Sequence, residues 1–276
     1  MIPTCVVGAT RSSVLNRHSS AGRRALRTAL CFGAALTLAA CRGAPADAAF
    51  PNALWFVVHD VCGANLKLTG HPAPCVSLDH GYAVLKDPRS AQLLVVPTRR
   101  MSGIESPELL APDAPNYWQA AWNTKPLFEK LVRQPVPRAA FGLAINSVTG
   151  RTQNQLHIHI DCVRPDVARA LADNLDKLGP QWTDLNVRLK GRLYRAMLLK
   201  GADLGARDPF KLAVDSDPAA PADMGPETLA VIGVDLAPGE PGFVLLARRA
   251  NMAINDKGAA EGVLDHTCSI LREAQP

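Results

Sequence analysis

Six residues, Gln155-Leu156-His157-Ile158-His159-Ile160, alternate polar and apolar. That period of two belongs to a β-strand. Residues two apart on a strand share a face. Leu156, Ile158 and Ile160 therefore point into a core, and Gln155, His157 and His159 emerge together on the other side. Such a strand needs a sheet around it, with its apolar side covered and its polar side kept for chemistry. A row of two imidazoles and an amide serves two chemistries, metal binding or attack on a phosphate.

The chain has 276 residues, of which 47% are hydrophobic. That is enough to build a sizeable core. The net charge of +5 is unevenly placed: residues 1–42 hold six arginines and no acid, leaving 24 basic against 25 acidic residues in the remainder. A basic nucleic-acid-binding surface is therefore not predicted, and nucleic acid is not an expected partner. Arg23, Arg24 and Arg27 precede the apolar run from Ala29 to Ala40, the layout of an export signal or short anchor. Leu38-Ala39-Ala40-Cys41 reads as a bacterial lipobox with Cys41 as the lipidated residue, and Ala46-Asp47-Ala48 offers an alternative cleavage site. Residues 1–48 are thus read as a signal or anchor with its linker, and 49–276 as the working domain. Export permits disulfides. The cysteines beyond the signal are Cys62, Cys75, Cys162 and Cys268; their even count fits two bridges, Cys62–Cys75 and Cys162–Cys268, with free buried thiols as the alternative, and the sequence does not fix the connectivity.

Helix is predicted over 52–66, 117–131 (interrupted near Pro126), 166–178 with Asp166 as cap, and 258–271. Strands are predicted over 81–86 and 92–97 as a hairpin, 139–146, 153–162, and 229–234 with 242–247 as a second hairpin. Residues 192–200 read as strand or short helix. The two hairpins share a pattern that ends in Arg99-Arg100 and Arg248-Arg249. That echo is either an internal duplication with a degenerate second half or two ordinary hairpins in one sheet. The fold class is α+β: an antiparallel sheet with helices on one side and the His strand near its centre.

For a metal, the row lacks a clear third ligand: His59, His71, His80 and His266 are available but none has diagnostic spacing, and Asp161 continues the alternation. For a phosphate, a neutral imidazole can attack phosphorus and form a covalent phospho-histidine. A second imidazole can then support the charge on the phosphate or leaving oxygen. Asn146, Ser147, Thr149, Arg151, Thr152, Gln153 and Asn154 are nearby donors, and the Ser147–Gly150 turn can offer backbone N–H groups. This route requires no metal or other cofactor.

The stretch Gly150-Arg151-Thr152-Gln153-Asn154-Gln155-Leu156-His157-Ile158-His159 is similar to the histidine-triad nucleotide hydrolases, with Gln155 standing where that family has its first histidine. The resemblance implies His157 as nucleophile, His159 as the third position and Gln155 in the orienting place. A narrower resemblance, to bacterial CDP-diacylglycerol pyrophosphatase, runs from about residue 55 to 271. It rests on Gly81–Asp87, Val96-Pro97-Thr98, Gly103–Pro107, Ala144–Ser147, Gly150–Asn154, His157–Ile160 and Arg164–Val167. It implies a histidine-triad-like fold and hydrolysis of CDP-diacylglycerol to CMP and phosphatidate. Catalytic roles fall to His157, His159 and Gln155. Asn146, Arg151, Thr152, Gln153 and Asn154 become substrate-binding residues. The partners implied are CDP-diacylglycerol and inner-membrane lipid, and the place is the periplasmic face of that membrane. Rival readings are a hydrolase of soluble nucleotides, a zinc phosphoesterase, and a lipid-anchored binding protein whose His row is incidental.

Overall fold

Strand-forming runs separated by turns, with few long helical stretches, lead to a sheet that organises everything else. The computed structural model describes residues 50–273 except 218, 221 and 222. Residues 1–48, read from the sequence as a signal or anchor segment, lie outside the described residues with Cys41 and the Ala46-Asp47-Ala48 site.

Among the described residues, ten strands form one antiparallel sheet. They are β1 Ser77–Asp79, β2 Tyr82–Lys86, β3 Leu93–Pro97, β4 Phe141–Ile145, β5 Ile158–Val163, β6 Thr183–Leu189, β7 Arg192–Lys200, β8 Glu227–Ala237, β9 Glu240–Arg249 and β10 Leu264–Asp265. Their order is β1-β2-β3-β5-β4-β8-β9-β7-β6, with β10 pairing the far end of β5. From either edge inward the order repeats: a hairpin (β2-β3 or β6-β7), then a second pair (β5-β4 or β9-β8), meeting where β4 pairs β8. The hairpin at 82–97 is thus matched by 183–200, whereas 227–249 matches β4 and β5. The echo between the two Arg-Arg hairpins pairs strands that are not equivalent in the sheet.

Helices cover both faces, not one. On one face Trp118, Ala121, Trp122, Phe128 and Phe210 pack on Val95, Leu143, Ile158, Ile160, Val231 and Leu245. On the other, Leu54, Val58 and Cys62 of the helical segment 53–69 pack on Ala83 and Val96. Further along that second face, Val167 and Leu171 of helix Pro165–Ala172, with Ala260, Val263 and Leu264, cover Ala144, Ala230, Ile232, Val244 and Leu246. The reason is visible in β4, whose five residues are all buried: a strand apolar on both sides needs a layer on each.

Pro126 sits in the first turn of helix Lys125–Val132, following helix Tyr117–Trp122. Lacking an N–H, it cannot continue the earlier helix, but it suits the start of a new one. Arg164, not Asp166, holds the N-cap position of the 165–172 helix; Asp166 lies in its first turn and pairs with Arg164 Nε at 2.9 Å. The predicted helix over 258–271 does not form. That stretch is a 3-10 turn Ala260–Val263, then β10, then helix Ile270–Glu273. Gly258 lies at φ +72°, and a Cβ there would stand 2.6 Å from Ser147 Oγ, so this backbone turns instead of coiling. Disulfides join Cys62 to Cys75 and Cys162 to Cys268.

Candidate active site

The polar row is shorter in strand than the alternation predicts. β5 begins at Ile158, and Gln155 precedes it in a buried, irregular connection. The Gln155 side-chain amide donates to the carbonyls of Pro97 (3.0 Å) and Arg99 (2.8 Å), and its oxygen accepts from the Met101 N–H (3.3 Å). It pins β5 to the end of β3. The group of Gln155 that meets His157 is its backbone carbonyl, 2.7 Å from Nδ1. A carbonyl can only accept, so Nδ1 carries the proton and Nε2 keeps a lone pair.

His157 and His159 lie side by side, ring centroids 4.8 Å apart and planes at 70°. Each residue is 7% exposed. Burial first, and the His159 ring second, pull His157 down to about 4. At neutral pH it is an uncharged imidazole. Burial likewise holds His159 below its ordinary value, against the pull of Glu261. Neither His159 nitrogen has a hydrogen-bond partner among the described residues. The sheet register places His159 between Leu94 and Ala144, with Ala230 beyond. The row therefore separates the area under the 53–69 segment from the area under Ala260–Leu264. In the repeated half, the neighbour of Ala230 that matches His159 is Leu246, and no imidazole row exists there.

The residue that sequence reasoning missed, Glu261, comes from the stretch read as helix, as does His266, which it named only as an available metal ligand. Glu261 Oε1 lies 3.5 Å from His159 Nδ1 and 3.5 Å from His266 Nε2. Asn146 clamps Glu261 from both ends: its amide donates to Glu261 Oε2 (3.0 Å) and its oxygen accepts from the Glu261 N–H (3.1 Å). Burial opposes the charge on Glu261, but His159, Asn146 and His266 together hold its carboxyl below the usual range. His266 Nδ1 lies 2.7 Å from Asp161 Oδ2, and that hydrogen bond raises the His266 imidazole. A chain of alternating imidazole and carboxylate thus runs His159–Glu261–His266–Asp161. The available signal was the glycine pair Gly258 and Gly262 flanking Glu261, which disfavours a helix there.

The other predicted residues have definite places. Arg151 forms a two-pronged pair with Glu105, Nη1 to Oε2 at 2.5 Å and Nη2 to Oε1 at 2.7 Å. Gly103 makes room for it, since a Cβ there would lie 2.1 Å from Arg151 Nη1. Gln153 anchors the helical segment, accepting from the Leu54 N–H (2.9 Å) and donating to the Phe50 carbonyl (3.3 Å). Asn154 is exposed and its N–H donates to the Pro51 carbonyl; Thr152 is exposed. The Ser147–Gly150 turn does not offer N–H groups to a phosphate. The N–H groups of Ser147 and Val148 donate to the Gly258 and Gly225 carbonyls, and those of Gly150 and Arg151 to the Ser147 carbonyl; that of Thr149 donates to Ser147 Oγ. Gly150 is required because a Cβ would sit 2.5 Å from the Gly258 carbonyl oxygen. Asp161 does cluster with Cys162 and Cys268, but those sulfurs are bonded to each other and are not thiolates.

The site is therefore one of buried imidazoles backed by a carboxylate, on a sheet closed from both sides. A family model described as CDP-diacylglycerol pyrophosphatase matches residues 49–272. The chain belongs to that family: it is a hydrolase of phospholipid metabolism, and its substrate is CDP-diacylglycerol.

Proposed function

We propose that this chain cleaves CDP-diacylglycerol to CMP and phosphatidate through a nucleotidyl-histidine on His157, in the manner of the histidine-triad hydrolases it resembles. The observation that carries the reading is the hydrogen bond from His157 Nδ1 to the Gln155 carbonyl, 2.7 Å. It leaves Nε2 as an unprotonated nucleophile. Nε2 attacks the phosphorus next to cytidine, a P–N bond forms and the anhydride P–O bond breaks. The departing phosphatidate oxygen takes a proton from His159, whose protonated form is favoured when the substrate's negative charge arrives beside it. The now neutral His159, steadied by Glu261, takes a proton from water as that water attacks the phosphorus. The P–N bond breaks, CMP leaves and His159 is again protonated. Asn146 acts through Glu261, as a positioning residue.

The test is a rapid quench with CDP-diacylglycerol labelled in its cytidine, followed by peptide mapping. A CMP-sized mass on the peptide containing His157 is expected. His157→Ala should lose the adduct and reduce CMP release by roughly 10³-fold or more while keeping its circular dichroism. Near-normal turnover in that variant would overturn the nucleophile assignment.

A further inference from the structure

Where the helical segment begins, Phe50 is 69% exposed and Phe56 57% exposed. Together with Pro51, Asn52 and Ala53 they line an apolar cavity of about 410 Å³. Large aromatic side chains left in water at one spot mark a contact surface. This spot is tied to the catalytic row by the chain itself. Gln153 grips the Phe50 carbonyl and the Leu54 N–H, and Asn154 grips Pro51. Asn154 is three residues from His157, at most about 10 Å along the backbone. A cation stands on the same side: Arg100 is exposed. The Arg100 guanidinium donates to Asn52 Oδ1 at 2.5 Å and lies 5.4 Å over the Trp55 ring. The Arg99 carbonyl is one of those held by Gln155.

We infer that Phe50 and Phe56 are a bilayer-docking edge: they enter the acyl region of the membrane while Arg100 meets lipid phosphates. The inference rests on the lipid substrate proposed above. CDP-diacylglycerol resides in a bilayer, so a buried imidazole pair reaches its diphosphate only if the membrane comes to the site. Exposed phenylalanines, an interfacial tryptophan and a flanking arginine are the residue set of that boundary. The apolar run Ala29–Ala40 ends ten residues before Phe50, and ten residues span at most about 35 Å, which keeps this edge near any membrane that the run enters. Gln155 then links lipid contact to catalysis, since one side chain holds both the Arg99 backbone and the strand bearing His157.

The test uses the full chain on vesicles of phosphatidylethanolamine and phosphatidylglycerol without CDP-diacylglycerol, so that it is independent of the reaction. Photoreactive p-benzoylphenylalanine replaces Phe56 or, as a control on a distant strand, Leu193, which is 54% exposed. Lipid adducts are expected at position 56 and not at 193. In parallel, the variant Phe50→Ser/Phe56→Ser should lose about tenfold or more in kcat/KM on vesicle-borne substrate. Its kcat/KM on water-soluble short-chain CDP-diacylglycerol should stay within roughly twofold, because that substrate needs no bilayer contact. The inference is overturned if position 56 cross-links to no lipid, or to another part of this chain or a second copy instead. It is equally overturned if both substrates lose rate together. Absence of a nucleotide adduct on His157 of the unmutated protein in the earlier experiment would sink the chemistry while leaving this lipid contact standing.

Discussion

His157 and His159 are of one residue type, two positions apart, and their partners make them different. A carbonyl fixes the His157 tautomer, whereas a carboxylate faces His159 at 3.5 Å. The His157 pKa of about 4 has a direct consequence for rate. Protonation removes the Nε2 lone pair, so kcat/KM should show no loss as pH falls through 6.5 and drop only near 4. An acid limb near 6.5 would mean that the ring is solvated in the working enzyme. Glu261 supplies the second residue-level test. Glu261→Gln keeps the shape and removes the charge that steadies a protonated His159. We expect kcat to fall about 10²-fold or more, with KM for CDP-diacylglycerol changed only a few-fold. The limb set by His159 should also move to lower pH, because Glu261 acts to raise that imidazole. A purely structural Glu261 would lower stability without moving the limb. The sequence displayed the imidazole pair openly, since the alternation puts both on one face whatever the neighbours are. It did not display Glu261 or His266, which lie more than a hundred residues away along the chain.

Secondary elements were legible where their pattern was local and illegible where tertiary contacts decided them. The hairpins 82–97 and 227–249 follow from alternation and turn residues. The 258–271 stretch carries alanines and apolar spacing that read as helix, yet β10 there pairs Leu264 with Val163 and Asp265 with Cys162. A two-residue strand is made by its partner, and local propensity has no say in it. Helix Pro209–Val214, with no counterpart in the sequence reading, shows a different tension. Asp208 caps it by accepting from the Phe210 N–H at 2.9 Å, but burial raises its carboxyl to about 6. A folded-state pKa above the unfolded value of 3.8 means that the native state binds more protons between those values. Stability therefore declines as pH rises from about 4 to 6. Asp208→Asn keeps the cap and removes the buried charge. It should stabilise the protein at pH 8 by of order 1–3 kcal/mol and change little at pH 4, as read from thermal melts at both.

Over the whole molecule, the Cys162–Cys268 bridge fastens the C-terminal segment to β5 across 106 residues of sequence, between Asp161 and His266. Closing a loop of about a hundred residues restricts the unfolded chain by roughly 4–5 kcal/mol in the chain-entropy view. Cys162→Ser/Cys268→Ser should therefore melt well below the wild type. It should also lose activity before it unfolds, because the segment carrying His266 is freed; a variant with normal melting and turnover would contradict that role. The repeated strand order has a functional side as well. Both halves build the same four-strand frame about the β4–β8 pair, but the imidazole pair occurs only in the half where polar residues break the apolar row. The sequence by itself determined the α+β sheet, the pairing of two imidazoles on one face and the absence of a second such pair, because side-chain alternation is a property of the strand alone. Only the tertiary structure decided which carboxylate backs which ring, which tautomer His157 holds, and that helices cover both faces. Those outcomes depend on contacts between segments far apart in the chain, and no local periodicity encodes the distance between them.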